Sequence, residues 1–586
     1  MNRLTYAEAT ALRNRLRDGM NRFLPKWRQL AQFIAPERLK ENPDDKHNGY
    51  RKDRDIIKNQ AGRSLRTFVS GMMNGATPRS RPWFNLTVNN KNKAQSSTAK
   101  RYFSDCEAVL NNHFNVSNLY RILPMAYKDV GVFSNAAFAM LPDPRFGFYF
   151  YPFAIGTYAF SCDSQGNTNT FTRDFSLTVR QIVETYATLK PNGQIDWTNI
   201  PNWIREHWDA KKYQETAVLA QLIVPNPKFD PAKKSLDPAD KKFQSYTWVH
   251  AAGNNLPPQS SSGFRNERVE VDGQEFMKVS GFDYFPVITP RWEVMPEEDY
   301  GVDGPGEIAL GDIMTLQEME KWRLEAIAKL VKPPMVGHAS LRRHQASILA
   351  GGITYVDEQG AQAGFKPAFM IDPKLGDLIA DQQEYTQAIR SAFYEDLFLM
   401  LSGDRTVSHV TAREIDEKAA ERMSTLAPVL GQWDQDLSSP LIRNAQIILE
   451  AANRLPKRPQ ELMGEQLRPE YISILAQAAK VSMMNSLERF SGYVSNVAQM
   501  QGDPSLLKLM SGERAIRMYA DYVALDPTII LDEREFEQVK EVAAQEQAAQ
   551  KQVAMMGQEA AVAKDMSQAK VGEGSMLDTL LTAAQA

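Results

Sequence analysis

Pro333-Pro334 closes the longest helical pattern in the chain and so limits what its C-terminal half can become. Ahead of it, Ile313, Leu316, Met319, Trp322, Ala326 and Leu330 recur at spacings of three and four, one apolar stripe on a helix predicted from Pro305 to Lys332. At 1.5 Å per residue this is a rod of about 42 Å. Two successive prolines lack the amide donors that a helix needs, so the rod stops there. Residues 333–373 carry strand-like Gly352-Ile353-Thr354-Tyr355-Val356 and Phe369-Met370-Ile371 around Gly-rich turns, and a second helix is predicted from Lys374 to Leu401. Gly403-Asp404 ends it. Two rods joined by a small strand-bearing segment thus sit inside a chain of 586 residues, long enough for several packing units.

The flanking sequence predicts an α+β protein that is predominantly helical. Thr5-Tyr6-Ala7-Glu8 is a capping box opening a helix towards Asp18-Gly19, and Trp27, Leu30, Ala31 and Ile34 mark a second helix that stops before Pro36. Ile56, Ile57, Ala61, Leu65, Phe68 and Met72 predict an amphipathic helix from Asp55 to Gly75. A short strand at Trp83-Phe84-Asn85-Leu86 and a helix from Ser97 to Phe114 follow. Between Asn135 and Phe175, and again from Thr216 to Glu293, aromatic and Thr-rich runs predict antiparallel strands, with the capping box Thr178-Val179-Arg180-Gln181 between them. Thr411-Ala412-Arg413-Glu414 caps a helix expected to run past a kink at Pro428 to about Arg454. From Ala543 to Lys564, 13 of 22 residues are Ala or Gln, a helix-forming composition with little to bury.

The 43% hydrophobic and 24% charged composition excludes wholesale disorder, and two cysteines, Cys106 and Cys162, exclude a disulfide framework or zinc ribbon. No stretch reaches 18 consecutive apolar residues, and the N-terminus leads into a charged helix, so neither a membrane span nor an export signal is expected. Lys and Arg number 68 against 71 Asp and Glu. That near-neutrality is a cancellation: residues 1–100 hold 21 basic and 8 acidic side chains, or +13, leaving 47 and 63, or −16, for the rest. A basic N-terminal part fits contact with nucleic acid or with acidic flanks of neighbouring subunits.

Signals for catalysis are scarce. The chain has no G-x-x-x-x-G-K-[ST] phosphate loop, H-E-x-x-H, G-x-S-x-G or C-x-x-C. Gly304-Pro305-Gly306-Glu307-Ile308-Ala309 fits a loose dinucleotide pattern, but no strand abuts it, so a helix-starting turn is expected and no cofactor. His338 and His344 lack the spacing of a metal pair. Asp53 with Asp55, or Asp434 with Asp436, are the acids able in principle to gather a metal for phosphodiester hydrolysis. A nucleic-acid enzyme is therefore one alternative, and a structural protein that assembles into sheets, tubes or rings is a second.

The order of motifs is more specific. The run Trp27-Arg28-Gln29-Leu30-Ala31-Gln32-Phe33-Ile34-Ala35-Pro36 is followed by Val69-Ser70-Gly71-Met72-Met73-Asn74-Gly75 and by Ser80-Arg81-Pro82-Trp83-Phe84. Together they resemble the N-terminal signature of the head-to-tail connector, or portal, proteins of short-tailed bacteriophages. Tyr300-Gly301-Val302-Asp303-Gly304-Pro305 resembles that family's Tyr-Gly-x-Gly-Pro motif with one residue inserted. Ala392-Phe393-Tyr394-Glu395-Asp396, Thr411-Ala412-Arg413-Glu414-Ile415 and Leu426-Ala427-Pro428-Val429-Leu430-Gly431 match its later landmarks, so the resemblance covers about residues 20 to 460.

That resemblance implies a portal fold with wing, two-helix stem, small α/β clip and helical crown. Residues 1–304 would be the wing, 305–332 and 374–401 the stem, 333–373 the clip, 402–410 the channel loop and 411–457 a long wing helix. Residues 458–542 would be the crown and 543–586 a helical or mobile tail. It implies a homo-oligomeric ring, usually of twelve subunits, at a capsid vertex of the virion after assembly from host cytoplasm. Double-stranded DNA would pass along its axis, and its partners would be the terminase large subunit, a tail adaptor, and major capsid and scaffolding proteins. Cofactors, metals, catalysis and membranes play no part in that picture. The candidate channel-loop residues are Ser402, Gly403, Asp404, Arg405, Thr406 and His409, with Arg405 and His409 placed to approach phosphates. Arg342, Arg343, Asp357, Glu358 and Lys366 form the candidate docking surface of the clip. Asp377, Asp381, Glu384, Glu395 and Asp396 against Lys374 and Arg390 leave the second rod at −3, a surface that would let DNA slide.

Overall fold

The computed structural model describes residues 4–44, 53–80, 82–94, 96–233, 235, 237–252, 276–331, 335–336, 366–367, 375–401, 431–465, 467–471, 474–502, 511–523, 536–546 and 548. They fall into two units, Met1–Ser482 and Met483–Ala586.

In the first unit α1 (Tyr6–Asn21) begins at the capping box: Thr5 Oγ1 accepts from the Glu8 amide, and Glu8 Oε2 accepts from the Thr5 amide at 2.9 Å. α2 (Leu24–Phe33) buries Leu24, Trp27, Leu30 and Ala31, as its apolar spacing requires. α3 (Gln60–Gly75) starts five residues later than the sequence predicts, because Ile57 and Lys58 give their amides to Gln317 Oε1 instead of to a helix. After β1 (Phe84–Val88) and α4 (Ser97–Val116), α5 (Leu119–Phe133) fills the centre of the core.

β2 (Phe138–Asp143) pairs with β3 (Gly147–Pro152). β4 (Tyr158–Cys162) and β5 (Thr168–Thr178) begin a larger antiparallel sheet. The capping box at Thr178 then opens α6 (Val179–Tyr186), followed by α7 (Asn202–Asp209). β6 (Thr216–Pro225), β7 (Phe243–Ala252) and β8 (Lys278–Phe282) complete the sheet in the order β8-β7-β6-β5-β4. β9 (Val287–Ile288) adds to β2, giving β9-β2-β3. The five-stranded sheet lies between two cores. Ala220, Leu222 and Val224 of β6 join the main one, while Ala217 and Leu219 meet α6 and α7 through Val179, Ile182 and Ile204. Burial on both faces explains why β6 is apolar from Ala217 to Val224 except at Gln221.

The first rod is a turn of helix, Pro305–Ile308, and then α8 (Leu310–Val331). The two-residue strands Met335–Val336 and Lys366–Pro367 pair antiparallel beyond it, and α9 (Leu375–Ala392) returns. The second rod is not continuous. It breaks at Phe393 and Tyr394, where Tyr394 takes φ of 54°, and resumes as α10 (Glu395–Leu401). Fully buried Phe393 and the anchoring of Phe398 on α3 outweigh helix continuity there.

From residue 431 a helical run contains a π-turn, Asp434–Ser438, and continues as α11 (Ser439–Ala451). The expected capping box at Thr411 and kink at Pro428 lie outside the described residues. β10 (Leu467–Tyr471) pairs antiparallel with β1, so the segment that the resemblance gives to the crown begins within the first unit. In the second unit, Gly512–Val523 and residues 536–546 are helical. Lys540 Nζ bonds Glu513 Oε2 at 3.0 Å, and Tyr519 Oη bonds Glu488 Oε1 at 3.3 Å.

Candidate functional site

Several sequence landmarks among the described residues meet in space. Tyr300, buried, has its ring centroid 5.9 Å from that of Trp27, 4.9 Å from Phe23 and 4.5 Å from Phe160. Gly301 and Asn135 exchange hydrogen bonds of 2.7 and 2.9 Å. A Cβ at Gly304 would lie 2.5 Å from Ser134 Oγ, and one at Gly306 would lie 2.9 Å from the carbonyl oxygens of Gly131 and Val132. These glycines therefore let the start of the first rod press on the end of α5, and the dinucleotide-like pattern is a packing device.

The Ala392–Asp396 landmark docks on α3. Phe68 lies 6.4 Å from Phe393 and 6.0 Å from Phe398, edge to face, and Ser64 Oγ donates to Glu395 Oε2 at 2.7 Å. Arg390 also faces Glu395 at 3.8 Å.

Buried polar groups tie α8 to the segment before α3 and to α9. Gln317 Oε1 accepts from Ile57 and Lys58 at 2.8 and 2.9 Å while its Nε2 donates to the Lys58 carbonyl, so the side chain is satisfied on both ends. Gln382 Nε2 donates to Glu320 Oε2 at 2.9 Å, and Arg323 holds the other oxygen. The apolar stripe of α8 divides: Ile313, Leu316 and Met319 are buried, whereas Trp322 is 55% and Leu330 53% exposed; Leu324 and Val331 are exposed on another side of the helix. Asp377, Asp381 and Glu384 are exposed on α9.

Much of the N-terminal charge is consumed inside the chain. Arg13 forks onto buried Asp174, which Arg17 approaches at 3.6 Å, and Lys26 meets Glu307 at 2.5 Å. Arg38 Nε meets Asp129 at 2.6 Å, and Lys93 meets Glu465 at 2.9 Å. Each acid lies beyond residue 100, so part of the +13 expected to contact nucleic acid or neighbouring subunits is neutralised internally. Burial opposes ionisation of Asp174, but the two guanidiniums outweigh it and lower the pKa.

Two of the proposed metal-gathering acids are otherwise engaged. Asp55 accepts from Gln32 at 2.8 Å, and Asp436 is forked by Arg291 at 2.7 and 2.8 Å. Among the described residues no three His, Cys, Asp or Glu side chains are placed to hold a metal. Ser402, Gly403, Asp404, Arg405, Thr406, His409, Arg342, Arg343, Asp357 and Glu358 lie outside the described residues, as do His338 and His344. Lys366 is described by its backbone, paired with Val336. The Arg291–Asp436 fork and the Gln317 clamp carry no sequence signal, since each joins residues far apart in the chain.

Residues 7–531 match the model of a family described as "Bacteriophage head to tail connecting protein". The chain belongs to that family. It is 32% identical over 572 residues to the "Portal protein" of Salmonella phage epsilon15, covering 97% of both chains. It is 28% identical to the "Probable portal protein" of Bordetella phage BPP-1, covering 93% of this chain and 92% of that one. A chain solved in the virion of a native gene transfer agent particle aligns at a TM-score of 0.30 and 10% identity, over 79% of this chain and 88% of that one.

Proposed function

We propose that this chain is a phage portal subunit: a ring-forming structural protein at one capsid vertex, through which double-stranded DNA is packaged and later ejected. The observation that carries the reading within the chain is the divided stripe of α8. A helix whose apolar stripe is buried in its first half and exposed at Trp322 and Leu330 in its second has contacts to make with another body. In a ring of identical subunits the neighbouring copy supplies that cover, by a heterologous contact that closes on itself.

On this reading residues 1–304 form the wing, 305–332 and 374–401 the stem, 333–373 the clip and 402–410 the channel loop. Residues 411–457 return to the wing, 458–542 form the crown and 543–586 the tail. The clip, through Arg342, Arg343, Asp357, Glu358 and Lys366, docks the terminase large subunit during filling and the tail adaptor afterwards. Capsid and scaffolding proteins meet the outer surface. The exposed acids of α9 support a channel wall that repels phosphate and so lets DNA slide, while Arg405 and His409 make the few phosphate contacts. The chain performs no catalysis of its own; the terminase supplies the work. Deleting residues 402–410 tests the channel assignment: rings are expected to assemble while packaged DNA is lost, and failed assembly would make the loop a structural brace.

A further inference from the structure

Arg173 is a cation without a counter-charge. The next residue, Asp174, points to the opposite face of β5, where Arg13 and Arg17 take it, and among the described residues no carboxylate pairs with Arg173. The guanidinium is nevertheless held in place. Its Nε donates to Gln221 Oε1 at 2.7 Å, and Gln221 is itself fixed by the bond from its Nε2 to Ser245 Oγ at 3.0 Å. Three rings wall it in: the guanidinium carbon lies 4.3 Å from the ring centre of Phe175, 4.9 Å from Phe153 and 5.1 Å from Tyr151. Burial opposes its charge, and only the Tyr151 and Tyr186 side chains act the other way. The fork is thus aimed and partly stripped of water, yet no acid fills it, and Tyr151 at its edge is 44% exposed.

The reverse chemistry stands on the turn at 295–298. Glu293–Val294 pairs antiparallel with Gly301–Val302, and the Glu298 amide closes the turn on the Met295 carbonyl at 3.2 Å. The base is fixed, since Asp299 accepts from the Cys162 amide at 2.7 Å and Tyr300 is buried. The tip exposes Met295, Glu297 and Glu298, and among the described residues neither glutamate has an ion-pair partner. Glu297 is held at φ of 67°, a left-handed conformation that a residue with a Cβ adopts at a cost.

We propose that the Arg173 cage of one subunit receives the Met295–Glu298 tip of the next, with a carboxylate in the guanidinium fork and the methionine against the rings. Guanidinium and carboxylate match as a planar fork, and a thioether packs favourably on aromatic edges. Cage and tip are different patches, so in a ring each copy gives its tip to one side and its cage to the other. The contact rests on the portal reading, to which it adds a second meeting point beside the end of α8.

Charge reversal with rescue tests it, read by sedimentation velocity of the full chain over a concentration series. Glu297→Lys with Glu298→Lys changes only exposed side chains, and the concentration needed for assembly is expected to rise about tenfold. Arg173→Met, which keeps an unbranched stem under the rings, is expected to match that loss and to add little to it when combined with the tip variant. Arg173→Glu is expected to weaken assembly alone and to restore it in the tip variant. A wild-type chain that stays monomeric overturns the portal reading and this contact together. Rings that form in the wild type and equally in the tip variant overturn the contact alone. A loss in Arg173→Met that the tip variant does not share, or that adds to it in full, assigns the cage to another partner and also overturns the proposal.

Discussion

Gly71 and the ring of Phe398 meet so closely that a Cβ at position 71 would lie 2.0 Å from the ring Cγ. The contact joins α3, from the N-terminal signature, to α10, the last described helix before residues 402–410, and the Ser64–Glu395 bond sits two turns away on the same face of α3. Gly71→Ala is expected to destabilise the first unit by about 1–3 kcal/mol through overpacking. Limited proteolysis is expected to show residues 395–401 loosened. Gly19→Ala, in a helix with open space around it, serves as control and is expected to be neutral or slightly stabilising in denaturant unfolding.

Asp174 answers two buried arginines. Asp174→Asn keeps the shape but leaves the Arg13 and Arg17 guanidiniums without their counter-charge, so a loss of about 3–5 kcal/mol is expected, read as a lower urea midpoint. Because its pKa is lowered in the fold, the stabilisation by Asp174 is present above the ordinary carboxylate range and is lost only as pH falls through its folded pKa. A variant as stable as wild type at pH 7 would contradict the assignment.

Two other groups set the pH response nearer neutrality, with opposite signs. Burial, aided by Arg13, pushes His250 down to about 4 from 6.5, so the unfolded chain takes up that proton first and stability falls as pH drops between those values. Burial pushes Glu107 up to about 7 from 4.5, so the folded chain takes up that proton first and stability rises as pH drops from 7 to 4.5. The effects oppose each other between pH 6.5 and 4.5. Glu107→Gln, which keeps an acceptor for the Leu86 amide, is expected to gain roughly 2–3 kcal/mol at pH 8 and to unmask the acid loss due to His250. Denaturation midpoints at pH 8, 6 and 5 measure this, and an unchanged profile would contradict it.

Amphipathic and capped elements were legible in the sequence, because a half-buried helix must alternate its faces and a cap must carry its side chain. α5 was not predicted: Pro124 inside it argues against a helix, although Leu119, Ile122, Leu123, Ala126 and Val130 are buried at helical spacing. β10 was hidden by Pro469, which the sheet tolerates because Leu86, opposite it, gives its amide to Glu107 rather than across the pair. The break at Tyr394 carries no Gly or Pro, and the π-turn shows only as Ser438-Ser439-Pro440 inside a helical pattern. The landmark motifs among the described residues are packing contacts, as Trp27 with Tyr300 illustrates, which is why their order pointed to a family while no reaction could be read from them.

Trp322 and Leu330 are expected to lie under a neighbouring subunit. Replacing both with Asp places charge on that apolar surface, and the double variant is expected to remain folded by circular dichroism while losing higher-order assembly in sedimentation velocity. Retained assembly would move the subunit contact away from the end of α8.

The most direct measurement is electron microscopy of the purified full chain with a subunit count. The account requires closed rings of identical subunits with an axial passage wide enough for double-stranded DNA. A monodisperse monomer at micromolar concentration, or sheets and tubes without such a passage, would contradict it.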